Sequence, residues 1–253
     1  MKIIRTKTMD RKLKNDLLSF KEQCKTQDKN IEFLPIDDDA TYYLLYEEDC
    51  LLSALSTFFL PDEGYECYAI THPKYRQKGL FSKLFQTLQK DSEDYDIIFP
   101  VSNLCQDTLN TLGALNAELW YQEHLMELIL SSSVKPTDKN TNHFSLNETT
   151  LPDGSVKYEF KQDKTTLGSC CLTIQEHSSF LSSFEIKEEF RNQGMGQIFL
   201  SLFLSTYHKN KKNKPDKICL QVSGENKPAL SLYQKKGFQI IETITYYLYE
   251  SLF

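Results

Sequence analysis

The chain carries one pattern twice, and any fold it adopts has to house both copies. Shifted by 115 residues, Tyr75-Arg76-Gln77-Lys78-Gly79 falls on Phe190-Arg191-Asn192-Gln193-Gly194, and each copy lies between an alternating apolar segment and a helix-forming run. Each is followed by a short apolar run, Tyr95 to Val101 and Lys217 to Val222. A segment of helical period then closes near Gly113 and Gly237. The pattern predicts two domains of one fold, and 253 residues at 40% hydrophobic content suffice for two cores. Residues 131–154 are polar, with Ser, Pro, Asn and Gly and no period, so the division falls at 1–130, a linker 131–154, and 155–253.

The second copy is the more telling. Up to Ile186 the residues alternate as in a half-buried strand, with Phe180, Phe184 and Ile186 on one side. From Met195 the period becomes helical, through Ile198, Phe199, Leu202 and Phe203. Between them, the glycines of Arg191-Asn192-Gln193-Gly194-Met195-Gly196 remove side chains that would hold a ligand off the backbone. Free N–H groups at a helix start favour an anion, and a pyrophosphate fits. The same pattern also describes ordinary connections.

In chain order, the first half reads as a strand Lys2 to Arg5, a helix Asp10 to Thr26, and a hairpin of Thr41 to Tyr46 with Cys50 to Phe59. Then come a strand Tyr65 to Thr71 and a helix Leu80 to Lys90. Trp120 to Leu130 suits strand or helix equally. The second half repeats the scheme from Val156: a hairpin through Gly168, the strand to Ile186, helix 194–209, strand 217–222, helix 227–236 and a last strand near Ile244 to Tyr249. It leaves little room for early helices. This order predicts an α/β (α+β) chain whose mixed, mostly antiparallel sheets are flanked by helices.

Charge and cysteine usage narrow the partners. A net charge of -6 argues against nucleic acid, and no run approaches a membrane span. Seven cysteines without CxxC spacing read as reduced thiols of a cytoplasmic chain. No His/Cys spacing suggests a metal, and His72, His177 and His208 form no triad pattern.

Val222-Ser223-Gly224-Glu225-Asn226, continuing to Leu230, Tyr233, Gly237 and Phe238, follows the glycine turn at a spacing that resembles the distal half of the GNAT superfamily of acyl-CoA-dependent N-acetyltransferases. The resemblance covers most of residues 156–249. Through the internal repeat it extends weakly over 41–130, so that the whole chain resembles tandem-GNAT proteins. It implies acetyl-CoA as co-substrate, with Arg191, Asn192, Gln193, Gly194, Met195 and Gly196 around the pyrophosphate. The strand at Ile186 and the side chain of Asn226 would lie along the pantetheine arm. Tyr233 would act as the acid for the departing thiolate, and a primary amine, most readily a small molecule, would attack directly.

Each role has a plainer counterpart. Asn226, before Pro228, makes a good helix N-cap, and Tyr233 at helical spacing from Leu230 suits a core. Glu185 is the candidate base, pointing away from Phe184 and Ile186, although strand glutamates are usually solvated. Lys209, Lys211, Lys212, Lys214 and Lys217 could meet the adenosine end of CoA or simply face water. In the first copy Phe81 stands where Gly196 does, Leu109 at the place of Tyr233, and Ser102 or Asn103 at that of Asn226. That copy reads as degenerate. Two other readings are a non-catalytic acyl-CoA scaffold and activity residing in the first domain. The sequence specifies neither the acceptor nor an oligomeric state.

Overall fold

The computed structural model describes residues 1–27, 34–92, 95–102, 106–130, 143–209 and 215–251. They divide into two units, Met1–Gln122 with Ile244–Phe253, and Glu123–Thr243.

Unit 1 begins with strand β1 (Lys2–Thr6) and helix α1 (Arg11–Gln27), whose first turn is fastened by the Leu13 N–H donating to Asp10 Oδ1 at 2.7 Å. Strands β2 (Thr41–Glu47), β3 (Cys50–Leu60) and β4 (Gly64–Thr71) form an antiparallel meander. Glu48 takes the left-handed conformation of a tight turn at φ 52°. Helix α2 (Leu80–Asp91) crosses to β5 (Ile97–Ser102), and α3 (Gln106–Leu115) leads to β6 (Glu118–Ile129). The unit's strand order is β1-β2-β3-β4-β5, closed by the end of β12 (Gln239–Tyr249), which pairs with β5 from Ile244 to Tyr249. Both sheet faces are covered. Leu17, Phe20 and Cys24 of α1 pack with Tyr42, Leu44, Ala54 and Ile70, while Leu80, Leu84, Phe85 and Leu88 of α2 pack with Tyr43, Leu45, Leu55 and Phe99. Burying each such side chain stabilises by about 1.5–3 kcal/mol.

Unit 2 contains β7 (Phe144–Thr150), β8 (Val156–Gln162), β9 (Thr165–Ile174), β10 (Ser179–Ile186), α4 (Met195–Lys209), β11 (Lys217–Ser223) and α5 (Lys227–Lys235). Its strand order is β6-β11-β10-β9-β8-β7, and only β10 and β11 run parallel. The core stacks Phe160 and Phe184 on Phe199, with ring centroids 5.0 and 4.6 Å apart. Tyr207 lies fully buried, its hydroxyl 2.8 Å from Ser179 Oγ and donating to Pro215 O at 2.7 Å.

The repeat is legible in backbone angles. Gln77 and Gly79 take φ 60° and 70°, and Asn192 and Gly194 take 60° and 77°. Arg76 Nε donates to Thr71 O, and Arg191 Nε to Ile186 O, each 115 residues from its counterpart.

Several expectations change. Residues 118–129 are a strand, settling the ambiguous Trp120–Leu130 segment. The sequence division at 1–130, 131–154 and 155–253 differs from the two units, because residues of β6 and of β12 fall in both. Phe144–Thr150, inside the expected linker, is a strand paired along β8. Helix α3 does not close at Gly113; it runs to Leu115, and Asn116 at φ 57° ends it in the left-handed conformation. Asn116 lies 121 residues before Gly237, just as Gln106, the start of α3, lies 121 before Lys227. On that alignment Leu112, not Leu109, takes the place of Tyr233, and Cys105 that of Asn226. Cys105 and Asn103 lie outside the described residues.

Candidate active site

The site forms where two parallel strands separate. β10 and β11 pair only at Ser179 with Ile218 and Phe180 with Cys219. Beyond that the register of β10 against β9 jumps between Ser182 and Glu185, so Ser183 and Phe184 lie opposite Cys170 alone. Ser183 adopts φ 50°, which marks a β-bulge just past the point where β10 and β11 part. The bulge reverses the side-chain phase. Leu181, rather than Phe180, joins the core, followed by Phe184 and Ile186. The sequence did signal this, since two apolar positions three apart across Ser182-Ser183 break the two-residue period.

The gap opens into a groove of about 800 Å³ lined by Ser183 to Ile186, the glycine turn, Gln221 to Ser223 and one side of α5. The sequence-predicted residues Glu185, Ile186, Arg191, Asn192, Gly194, Met195, Gly196, Asn226 and Tyr233 all line it; Gln193 does not, its amide instead donating to Glu189 O at 3.0 Å. The backbone N–H groups of residues 192–196 have no hydrogen-bond partner among the described residues. A Cβ on Gly194 would meet nothing within 4 Å, and one on Gly196 would come into ordinary contact with Leu232 Cδ2 at 3.4 Å. This cradle of unpaired donors at the start of α4, with Arg191 and Lys235 in the lining, suits a pyrophosphate.

Asn226 caps α5, its Oδ1 accepting from the Ala229 N–H at 3.1 Å, so the N-cap role is realised. Asn226 also lines the groove. Tyr233 is 6% exposed and packs edge-on against Phe184 and Phe238 at 6.1 and 5.7 Å. Its hydroxyl has no hydrogen-bond partner among the described residues. Burial, reinforced by the neighbouring Cys170, pushes its pKa up to about 12. Glu185 is exposed on the opposite face of the sheet, accepting from Ser169 Oγ at 3.1 Å. Of the lysine cluster, Lys217 pairs with Glu127 at 2.6 Å, whereas Lys211, Lys212 and Lys214 lie outside the described residues. Among the described residues no group of three or more His, Cys, Asp or Glu is arranged to hold a metal, and no helix is long and apolar enough to cross a membrane.

The equivalent groove of unit 1, about 400 Å³, runs between β4, the first glycine turn and α3. It differs in three ways. β4 pairs with β3 in unbroken register, so it has no bulge. The buried Leu112 stands for Tyr233, and Phe81 occupies the second glycine position, stacked on Phe85 at 5.6 Å.

Comparison with known proteins agrees with this geometry. Residues 160–248 match the family model of FR47-like proteins. Over 117 residues, 46% of this chain and 74% of the relative, the sequence is 28% identical to a Bacillus subtilis protein described as a putative [ribosomal protein bS18]-alanine N-acetyltransferase. A tandem GNAT protein from the clavulanic acid biosynthesis pathway superposes with TM-score 0.72 at 10% identity, covering 99% of this chain and 98% of that one. A GCN5-related N-acetyltransferase from Sphaerobacter thermophilus gives TM-score 0.69 at 11% identity over 97% and 95%. At such identities the two structures speak to the fold alone. The fold is that of tandem GNAT proteins, and the match over residues 160–248 together with the Bacillus subtilis relative supports a GNAT-type N-acetyltransferase. The chain is an acyltransferase.

Proposed function

We propose that unit 2 transfers an acetyl group from acetyl-CoA to a primary amine by direct attack. The observation that carries this reading is the bulge at Ser183, which lies beside the β10–β11 gap in the same groove as the glycine turn and Tyr233. The N–H groups of residues 192–196 hold the pyrophosphate, and the uncapped edge of β10 lies along the pantetheine arm. When bound, acetyl-CoA supplies an activated thioester. The backbone freed from the ladder at the bulge offers donors to the thioester carbonyl oxygen, whose negative charge grows during attack. Tyr233 approaches from the core face and Glu185 from the opposite face. That arrangement lets the carboxylate take a proton from the amine, directly or through water, while the phenol gives one to the departing sulfur. A phenol with its pKa near 12 stays protonated throughout the working range.

Catalysis resides in unit 2 on this reading, because unit 1 has neither a bulge nor an acid at the position of Tyr233. A small-molecule amine is the first acceptor to test. A protein N-terminal amine is the second, suggested by the Bacillus subtilis relative, and the cytoplasmic location fits the free cysteines. The test is calorimetric titration with acetyl-CoA, followed by an amine and peptide screen with Tyr233→Phe as control. Absence of acetyl-CoA binding to the wild type would sink the proposal. Binding without turnover of any amine would instead favour a scaffold role, and equal turnover in wild type and Tyr233→Phe would remove the acid role of Tyr233.

A further inference from the structure

The two grooves differ most in what happens to their arginines. Arg191 donates Nε to Ile186 O, lines the unit 2 groove, and forms no ion pair among the described residues. Arg76, its counterpart, makes the equivalent bond to Thr71 O, but its Nη1 also reaches Asp107 Oδ2 at 2.6 Å. Asp107 sits in the first turn of α3 and also lines the groove, so this bond runs from the glycine turn to the opposite wall. At 121 residues' offset unit 2 has Pro228 there, which carries no charge.

We infer that the Arg76–Asp107 pair is a latch that closes the phosphate end of the unit 1 groove, so that the chain takes up one CoA and not two. Among the described residues that line that groove, Arg76 is the one cation and Asp107 the one anion. The pair therefore spends the charge that a pyrophosphate needs and places a carboxylate beside the cradle. The other cations of the turn do not substitute. Lys78 lies over the Tyr75 ring at 4.7 Å, and neither it nor Lys74 lines the groove. An exposed ion pair is individually weak, with Asp107 59% accessible, so the latch acts mainly through repulsion of the anionic ligand and yields when the carboxylate is removed. The unit 1 turn otherwise retains the left-handed angles of the unit 2 cradle at Gln77 and Gly79.

The stoichiometry rests on unit 2 holding the cofactor, so the experiment separates the two units. CoA is titrated calorimetrically into wild type, Asp107→Ser, Gly194→Trp and the double variant, with Asp107→Glu as the charge-retaining control and thermal melts confirming folding. Expected site numbers are one, two, none and one, with one for Asp107→Glu, and an affinity gain of at least tenfold at the unit 1 groove. A site surviving in Gly194→Trp alone would overturn the latch, as would Asp107→Ser without a new site. If wild type binds nothing while Asp107→Ser binds one CoA, the latch stands and the assignment of the cofactor to unit 2 falls.

Discussion

Replacing Tyr233 by phenylalanine separates chemistry from packing. The ring is held by edge contacts to Phe184 and Phe238, and Phe preserves both. The hydroxyl makes no hydrogen bond to a described residue, so its loss leaves no orphaned partner and should change stability near neutral pH by under about 1 kcal/mol. Loss of a general acid should lower kcat by about 10²–10⁴-fold, with the acetyl-CoA Kd unchanged. The raised pKa adds a second signature. Because the folded state holds the proton more tightly than the unfolded chain, whose tyrosines titrate near 10, the contribution of Tyr233 is complete below pH 10 and declines as pH rises towards 12. At pH 11 wild type should have lost about 1.4 kcal/mol that Tyr233→Phe keeps. Steady-state kinetics at pH 7.5 and urea unfolding at pH 8 and pH 11 give the two readouts. A kcat within threefold of wild type would refute the acid role, and an unchanged stability difference at the two pH values would refute the burial that raises the pKa.

Three further outcomes follow from packing around the groove. Gly168→Ala would drive a Cβ into the Glu185 carbonyl and the Ile186 side chain, so it should cost about 2–4 kcal/mol in urea unfolding and weaken cofactor binding by displacing β10. Asn226→Ala removes the cap of α5 and should cost about 1 kcal/mol, whereas Asn226→Asp keeps the cap; if acetyl-CoA affinity falls equally in both, the amide itself contacts the cofactor. Truncation after Thr243 removes the strand residues paired with β5, together with Tyr249, whose hydroxyl accepts from Gln89 at 2.7 Å and whose ring packs on Phe85. Hydrogen exchange should then show loss of protection in β5 and α2 ahead of β9 and β10.

The periodic parts of the fold were legible because they are local. The glycine turns, the helices that follow them and the alternating strands are set by residues within a few positions of one another. The repeat then supplied their number. What escaped was decided by pairing at long range. Near Phe144–Thr150 only Phe144 and Leu146 alternate before a polar run, too short a signal to mark a strand, and its regularity comes from the ladder with β8. Nor does the local sequence say that the last residues of β12 complete a sheet begun by Lys2, because that follows from the ladder with β5. The site was legible to the extent that it is backbone. Glycine turn, cap and tyrosine fell where the motif put them, while the bulge at Ser183 showed only as a slip of phase between Leu181 and Phe184.

The misplaced end of α3 shows how a repeat can mislead once its copies diverge. Aligning Gly113 with Gly237 treats glycine as the sign of a helix end, but the sign is the left-handed backbone that glycine makes easy. Asparagine reaches that conformation too, because its short polar side chain can bond locally, and Asn116 at φ 57° does so. Gly113 is left inside the helix, where a Cβ would meet nothing within 4 Å. Gly113→Ala should therefore stabilise unit 1 by about 1 kcal/mol through helix propensity, whereas Gly237→Ala, at φ 92° with Leu128 at 3.4 Å, should destabilise unit 2. Opposite signs in thermal unfolding would confirm that the two glycines are not equivalent. Equal losses would restore the alignment that puts Leu109 opposite Tyr233.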